Sequence, residues 1–230
     1  MKRIGMIGGM SWESTLLYYR SANEIVQKKL GGLHSLPCIL SSVDFQQISD
    51  WQHHGAWDEA GAFLAAEAKK LEVAGAEAII LCTNTMHCVA PLIEQTISVP
   101  LLHIADAASV HIKKHGLNKV AVLGTTFTME ESFYHERLNA QGIDTLIPEA
   151  PARKRIHSMI FDELCVGITD KSSRDYLLEI IDSLQKEGAQ GIVLGCTELP
   201  MIIRQSDVLI PVFDTARIHA GEAVRFALNA

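Results

Sequence analysis

The sequence predicts an α/β protein in which a mostly parallel sheet flanked by helices is built twice over. Three observations predict it. Short runs rich in Ile and Val alternate with amphipathic helical patterns, the second half repeats the first in the same order, and two strand runs end in similar polar turns. Alternation of this kind means βαβ units, because parallel strands need a crossover, usually a helix, between them.

The elements follow from periodicity and end signals. Residues 3–9 (RIGMIGG) read as a strand and 13–31 as an amphipathic helix closed by Gly31. A second strand covers 37–45, a long helix 58–76, and a third strand 78–82 (AIILC). A helix around 87–95 and a strand at 100–106 (PLLHIAD) follow. In the second half KVAVLGT (119–125) parallels the first strand, and LQKEGAQGIVLGCTE (184–198) parallels LEVAGAEAIILCTNT (71–85). Finally IPVFDTAR (210–217) parallels VPLLHIAD (99–106). The offsets are 116, 113 and 111, so a few deletions align all three anchors. Three matches in one order indicate an internal duplication. The expected domains are residues 1–98 with 208–230, and residues 99–207. In that division the last strand (208–214) and helix (216–228) cross back to complete the first half.

Composition narrows the function. The 230 residues are 48% hydrophobic and 20% charged, the profile of an ordinary soluble protein. A formal net charge of −7 provides no basic patch for nucleic acid or anionic membranes. No apolar run approaches the roughly 20 residues that span a bilayer, and the N-terminus reads as a strand rather than a signal peptide. Five cysteines, an odd number without CxxC pairs, point to free thiols and a cytoplasmic location.

The repeat also locates a site. With Leu81 aligned on Leu194, Cys82 falls on Gly195 and Thr83 on Cys196. Ligands of parallel α/β sheets bind beyond the carboxyl ends of the strands. Two facing halves would bring Thr83 and Cys196 to opposite walls of one cleft. A proton donor and acceptor on each side is what inversion of an amino-acid α-carbon demands, since a single base would return the proton to the face it left.

At these residues the sequence resembles the aspartate/glutamate racemase superfamily, over essentially the whole chain. The resemblance is carried by IGMIGGMSWEST (4–15), ILCTNTMH (80–87), AVLGTTFTM (121–129), FDELCVG (161–167) and VLGCTELP (193–200). It implies two pseudo-symmetric Rossmann-like domains with the active site in the interdomain cleft. It also implies a homodimer, and catalysis with neither pyridoxal phosphate nor metal. The family ordinarily carries one cysteine per half, and the second motif is intact as Gly195-Cys196-Thr197-Glu198-Leu199. In the first, Thr83 stands at the usual cysteine position, with Asn84, Thr85 and His87 in their places. That departure is similar to an atypical subgroup, the aspartate/glutamate-specific or broad-specificity amino-acid racemases with a Thr/Cys pair.

The expected reaction is therefore cofactor-independent racemisation by two-base proton transfer, with Thr83 and Cys196 as the catalytic pair. A thiol suits the task because its pKa is accessible near neutrality and is lowered at a helix N-terminus. Turn N–H groups with Asn84, Thr85 and Thr197 would hold the substrate carboxylate. Met10 and Ser11, in the turn after the first strand, would line the pocket. Gln52 resembles the subgroup's position for recognising the substrate side chain. Relatives that bind aspartate often have an arginine there, and none lies between Arg20 and Lys69. A lysine common after the FDELCVG motif is also missing, leaving Lys154 and Arg155 as the nearest cations.

Each residue has a plainer reading. Thr83 can simply cap a turn, Glu198 can complement a helix dipole, and His87 can be a capping group. Cys82 reads as a packed small hydrophobe pointing away from Thr83, since neighbouring strand residues face opposite sides. Cys38, Cys88 and Cys165 read as structural. The histidines, including His53, His54, His111 and His115, show no metal-ligand spacing. GMIGGMS is no dinucleotide fingerprint. Two other functions remain open: a one-thiol enzyme resembling arylmalonate decarboxylase or maleate isomerase, and a non-catalytic amino-acid-binding protein.

Overall fold

A computed structural model describes residues 1–229 of the chain. The residues divide into two compact units, Met1–Ile104 with the segment from His219 onward, and Ala105–Ile218.

The first unit begins with β1 (Ile4–Gly8), α1 (Trp12–Leu30), β2 (Cys38–Ser42), α2 (Phe45–His54), α3 (Trp57–Val73) and β3 (Ala78–Leu81). A 3-10 turn at Thr85–Val89 leads into α4 (Ala90–Thr96). The sheet order is β2-β1-β3, all parallel, and Leu101 adds a single parallel bridge to Ile79. Every residue of β1 and β3 is buried, as a parallel sheet covered on both faces requires. Helix α3 supplies one cover because Ala60, Leu64, Ala68 and Leu71 recur on one helical face and pack with Ile7, Ile79 and Leu81. Each such Leu or Ile contributes about 1.5–3 kcal/mol by leaving water.

The second unit repeats this plan. It contains α5 (Ile104–Lys114), β4 (Lys119–Gly124), α6 (Thr126–Glu130), α7 (Ser132–Asn139) and β5 (Asp144–Leu146). Then follow α8 (Ala150–Asp162), α9 (Lys171–Lys186), β6 (Ile192–Gly195) and β7 (Val212–Asp214), and the first residues of α10 (Thr215–Leu228), which belongs to the first unit from His219 onward. Its parallel sheet has the order β5-β4-β6-β7. Ile156 and Ile160 of α8 and Leu177, Ile181 and Leu184 of α9 pack with Ala121, Leu123, Ile192 and Leu194.

The duplication reaches the ladder register. Ile79 bridges Leu101 in one sheet and Ile192 pairs with Val212 in the other, the same residues that the sequence repeat aligns. The helix caps repeat as well: Ser11 caps α1 by accepting from Ser14 N–H, and Thr125 caps α6 by accepting from Thr128 N–H.

Four expectations need correction. The strand expected at 208–214 does not complete the first sheet; as β7 it pairs with β6 in the second. Helix α10 makes the crossing, and from His219 onward it belongs to the first unit, with Lys2 N–H bonded to Ala227 O at 2.9 Å. The boundary near residue 98 lies instead at Ile104, because the Pro100–Leu102 segment stays hydrogen-bonded to Ile79. Residues 100–106 are not a full strand: one rung forms at Leu101, and the chain turns into α5 at Ile104. A short apolar run cannot by itself separate strand from buried helix. Helix α2 was not expected, although Asp44 caps it through Gln46 N–H at 3.1 Å and left-handed Gly55 ends it. The three-residue β5 is too short to carry a periodic signal.

The turn that leaves β1 is tightly built. Gly9 has φ of 90°, and a Cβ there would lie 2.2 Å from the Val43 carbonyl oxygen. Gly9→Ala is expected to cost about 1–2 kcal/mol for the left-handed backbone and about 1–3 kcal/mol more for the overlap. Gly31→Ala meets only the backbone penalty, since nothing lies within 4 Å of its Cβ position. Urea midpoints at unchanged m-value check the difference; equal losses would refute the steric argument.

Candidate active site

The register decides what stands at each sheet edge. In the first unit Ile7 pairs with Leu81, so the Gly8-Gly9-Met10 turn and the Cys82-Thr83-Asn84 turn emerge side by side. Two hydrogen bonds tie them together: Cys82 N–H donates to Ile7 O at 2.9 Å, and Ser14 Oγ donates to Cys82 O at 3.1 Å. Met10, Ser11, Thr83, Asn84 and Thr85 are all buried at this edge. Gln52, on α2, donates from Nε2 to Met86 Sδ at 3.0 Å, and its Oε1 is buried without a hydrogen-bond partner among the described residues.

Cys82 and Thr83 follow the last residue of β3, and both are buried. Cys82 is fully buried, and burial pushes its thiol pKa up. Thr83 is 7% exposed. Its backbone is fixed by His87, whose Nδ1 lies 2.9 Å from Thr83 O. Ile104 N–H donates to His87 Nε2 at 3.3 Å, so Nδ1 carries the proton and the ring is neutral.

Sequence reasoning missed what stands behind His87. The His87 ring centroid lies 4.5 Å from that of His103 and 5.5 Å from that of His219. His219 Nδ1 is 2.9 Å from Tyr18 Oη, and its Nε2 is 2.6 Å from Leu102 O. A neutral ring that donates from Nε2 and accepts at Nδ1 satisfies both partners. Nothing in the spacing of these residues signals that the fold collects them.

In the second unit Gly124 pairs with Gly195, the last rung before Cys196. A Cβ on Gly124 would lie 2.8 Å from Gly195 O, so the two strand ends approach only because both are glycine. Cys196 and Thr197 are buried at this edge, with Thr125. Thr126 N–H donates to His157 Nδ1 at 3.3 Å, which brings a histidine of α8 to the turn after β4. The repeat aligns Thr125 with Gly9, so the alignment gives no signal for it.

The thiol environment contradicts one expectation. Cys196 was expected at a helix N-terminus that lowers its pKa, but only a three-residue 3-10 turn, Leu199–Met201, follows. The first half is similar, with a five-residue 3-10 turn after Asn84. Burial, then the Glu198 charge, push the Cys196 thiol well above its ordinary range. Its sulfur donates to Glu198 Oε2 at 3.0 Å. Of the two cations closest in sequence, Arg155 stacks over the Tyr176 ring at 3.7 Å and Lys154 is exposed. Among the described residues no group of three His, Cys, Asp or Glu could hold a metal ion, and no helix is long and apolar enough to cross a membrane.

The buried histidines carry a pH signature. Burial depresses His219 to about 4 and holds His87 well below the usual histidine value. Below pH ~6.5 the unfolded chain takes up protons that folded His219 refuses, so its contribution is complete above that pH and is lost toward pH 4. The loss is on the order of 3 kcal/mol for His219. His219→Asn is expected to flatten the dependence of unfolding free energy on pH between 7 and 4 by about that amount. Parallel pH curves for the two proteins would refute it.

Comparison with known proteins agrees with this construction. The sequence profile of the Asp/Glu/hydantoin racemases matches residues 7–223. The broad specificity amino-acid racemase RacX of Bacillus subtilis (strain 168) is 25% identical over 229 residues, covering 96% of each chain. A crystal structure from Yersinia pestis, with a provisional Asp/Glu racemase description, is 48% identical and superposes with a TM-score of 0.94 over 100% of both chains. An aspartate racemase homologue from Pyrococcus horikoshii OT3 is 36% identical, with a TM-score of 0.87 over 99% of both chains. A profile match from β1 into α10 spans both halves of the duplication, and on that ground the chain belongs to the Asp/Glu/hydantoin racemase family.

Proposed function

We propose that the chain racemises amino acids without a cofactor, with Thr83 and Cys196 as its two proton-transfer groups. The observation that carries this reading is their equivalence. Each ends the third-formed strand of its sheet, at aligned positions of the repeat, in a buried polar turn at the carboxyl edge. One group removes the Cα proton and the other supplies a proton to the opposite face. Donors at the same edges, among them Ser11, Asn84, Thr85 and Thr197, hold the substrate carboxylate and stabilise the enolate as charge develops. Met10 lines the first edge.

Substrate preference is proposed to be broad, as in the Thr/Cys subgroup that the sequence resembles. Gln52 offers a buried neutral amide whose Oε1 has no hydrogen-bond partner among the described residues, in place of the arginine of aspartate-binding relatives. The name of the Bacillus subtilis relative supports the same breadth. A homodimer in the cytoplasm completes the proposal.

Deuterium uptake at Cα and inversion, followed separately from each enantiomer, test the pair. Cys196→Ala is expected to lose inversion in both directions while keeping its fold; retained racemisation would remove Cys196 from the mechanism.

Thr83→Ala is expected to stop inversion but leave exchange on the face that Cys196 serves. Thr83→Cys is expected to raise turnover by about tenfold, since a thiol ionises far more readily than an alcohol. Cys82→Ala should change little. An inactive Cys82→Ala beside a normal Thr83→Ala would reverse the assignment.

A further inference from the structure

One carboxylate at the first edge has no place in the reaction described above. Glu13 lies in the first turn of α1, between Trp12 and Ser14. That turn is tied to the candidate site. Ser11 caps it through Ser14 N–H, and Ser14 Oγ donates to Cys82 O, the carbonyl just before Thr83. Gly9 N–H donates to Thr15 Oγ1 at 2.8 Å, which holds the Gly9-Met10 turn against the same helix end. Glu13 Oε2 is buried here, and no group among the described residues donates a hydrogen bond to it. Gln52 Oε1 is a second buried acceptor left unmet among the described residues. Its amide cannot be read the other way round, because the Met86 thioether only accepts and so takes Nε2. Both unmet atoms are acceptors, so whatever completes this edge must bring donors.

The helix dipole accounts for an acidic residue in the first turn, but not for its burial. An exposed carboxylate would serve the dipole equally well, whereas a buried one is costly unless it is paired. The second unit shows the ordinary solution: Glu198 Oε2 accepts from Cys196 Sγ at 3.0 Å and from Thr197 Oγ1 at 2.7 Å. Glu13 Oε2 has no such bonds among the described residues. The amino-acid substrate of the proposed reaction carries one group of matching chemistry, its α-ammonium.

We infer that Glu13 is the substrate-binding residue that receives the α-ammonium, placing the substrate nitrogen on the first edge. The inference rests on the reading of the chain as an amino-acid racemase. An ammonium brings three N–H donors and a positive charge, so a single ligand group both meets Oε2 and compensates the carboxylate. The opposite charge favours the protonated amine over the free one. That bears on the reaction, because a positively charged nitrogen beside Cα stabilises the negative charge that proton removal creates, and a neutral amine does not. A substrate turned end for end would set its carboxylate against Glu13, so the same charge selects the orientation.

Calorimetric binding of L-glutamate and of glutarate, which lacks only the amino group, tests this without turnover. The wild-type protein is expected to bind L-glutamate about tenfold or more tightly than glutarate. In Glu13→Gln that preference is expected to fall below about threefold, through loss of L-glutamate affinity with glutarate unchanged or tighter. Glu13→Asp keeps the charge and is expected to retain part of the preference. Equal losses for both ligands would mark a structural role and overturn the inference. So would a preference that survives in Glu13→Gln, or a wild-type protein that shows none. Stability gives an independent readout. Glu13→Gln removes a carboxylate that has no partner to lose, so its urea midpoint is expected at or above the wild-type value. A lower midpoint, or a variant that does not fold, would also overturn the inference. L-Glutamate that binds with the Glu13-dependent preference but exchanges no Cα proton in deuterated buffer would instead overturn the racemase reading. Glu13 would then stand as the ammonium site of an amino-acid-binding protein.

Discussion

Parallel pairing of the short central strands is the constraint on which the site depends. Because β1 and β3 run the same way, the turns that leave them share one edge, and the Ile7–Leu81 register sets Thr83 beside the Gly9-Met10 turn. The Gly124–Gly195 rung does the same for Cys196 in the second unit. A slip of one residue would turn every side chain of the strand to the opposite face. Apolar cover on both faces of β1 and β3 opposes that slip, since every residue of these strands is buried.

Hydrogen bonds from outside the ladder then hold the turns. Ser14 and His87 bind the carbonyls of Cys82 and Thr83, two groups beyond the reach of strand pairing. His87 can do this while accepting the Ile104 N–H at Nε2 only as a neutral ring, and burial favours that form. The histidines and Tyr18 behind Thr83 therefore serve the site through backbone geometry rather than by touching the reacting hydroxyl. Their cost is sensitivity to acid, the usual consequence of burying a group that would otherwise be protonated.

The duplication has left two equivalent positions with unlike chemistry. One carries an alcohol, and the other a thiol bonded to a carboxylate. Since the enantiomers have equal energy, kcat/KM must be equal in the two directions, and the asymmetry is confined to how kcat and KM share it. A strand-end turn is a suitable place for such divergence. Ladder hydrogen bonds use the backbone alone, so the side chains of the turn can change while the fold persists.

By itself the sequence determined the α/β class and the duplication. These depend on local periodicity and on residue-by-residue likeness, which a single chain displays directly. It also read Cys82 as a packed small hydrophobe, and the residue is fully buried. It did not show α2, although Asp44 and Gly55 mark both ends, since the polar FQQISDWQHH segment is short and buries only Ile48 and Gln52. It misassigned the last strand even though its own repeat aligned that strand with Leu101: the crossing belongs to α10, and helix ownership depends on packing distant in sequence. The pKa direction at Cys196 was likewise a tertiary decision. A short 3-10 turn in place of a long helix, complete burial and the rotamer of Glu198 set it together. The Tyr18–His219 bond joins residues 201 positions apart, and the His219 contact to Leu102 spans 117. Such contacts carry no sequence period, so only the folded chain could bring them together.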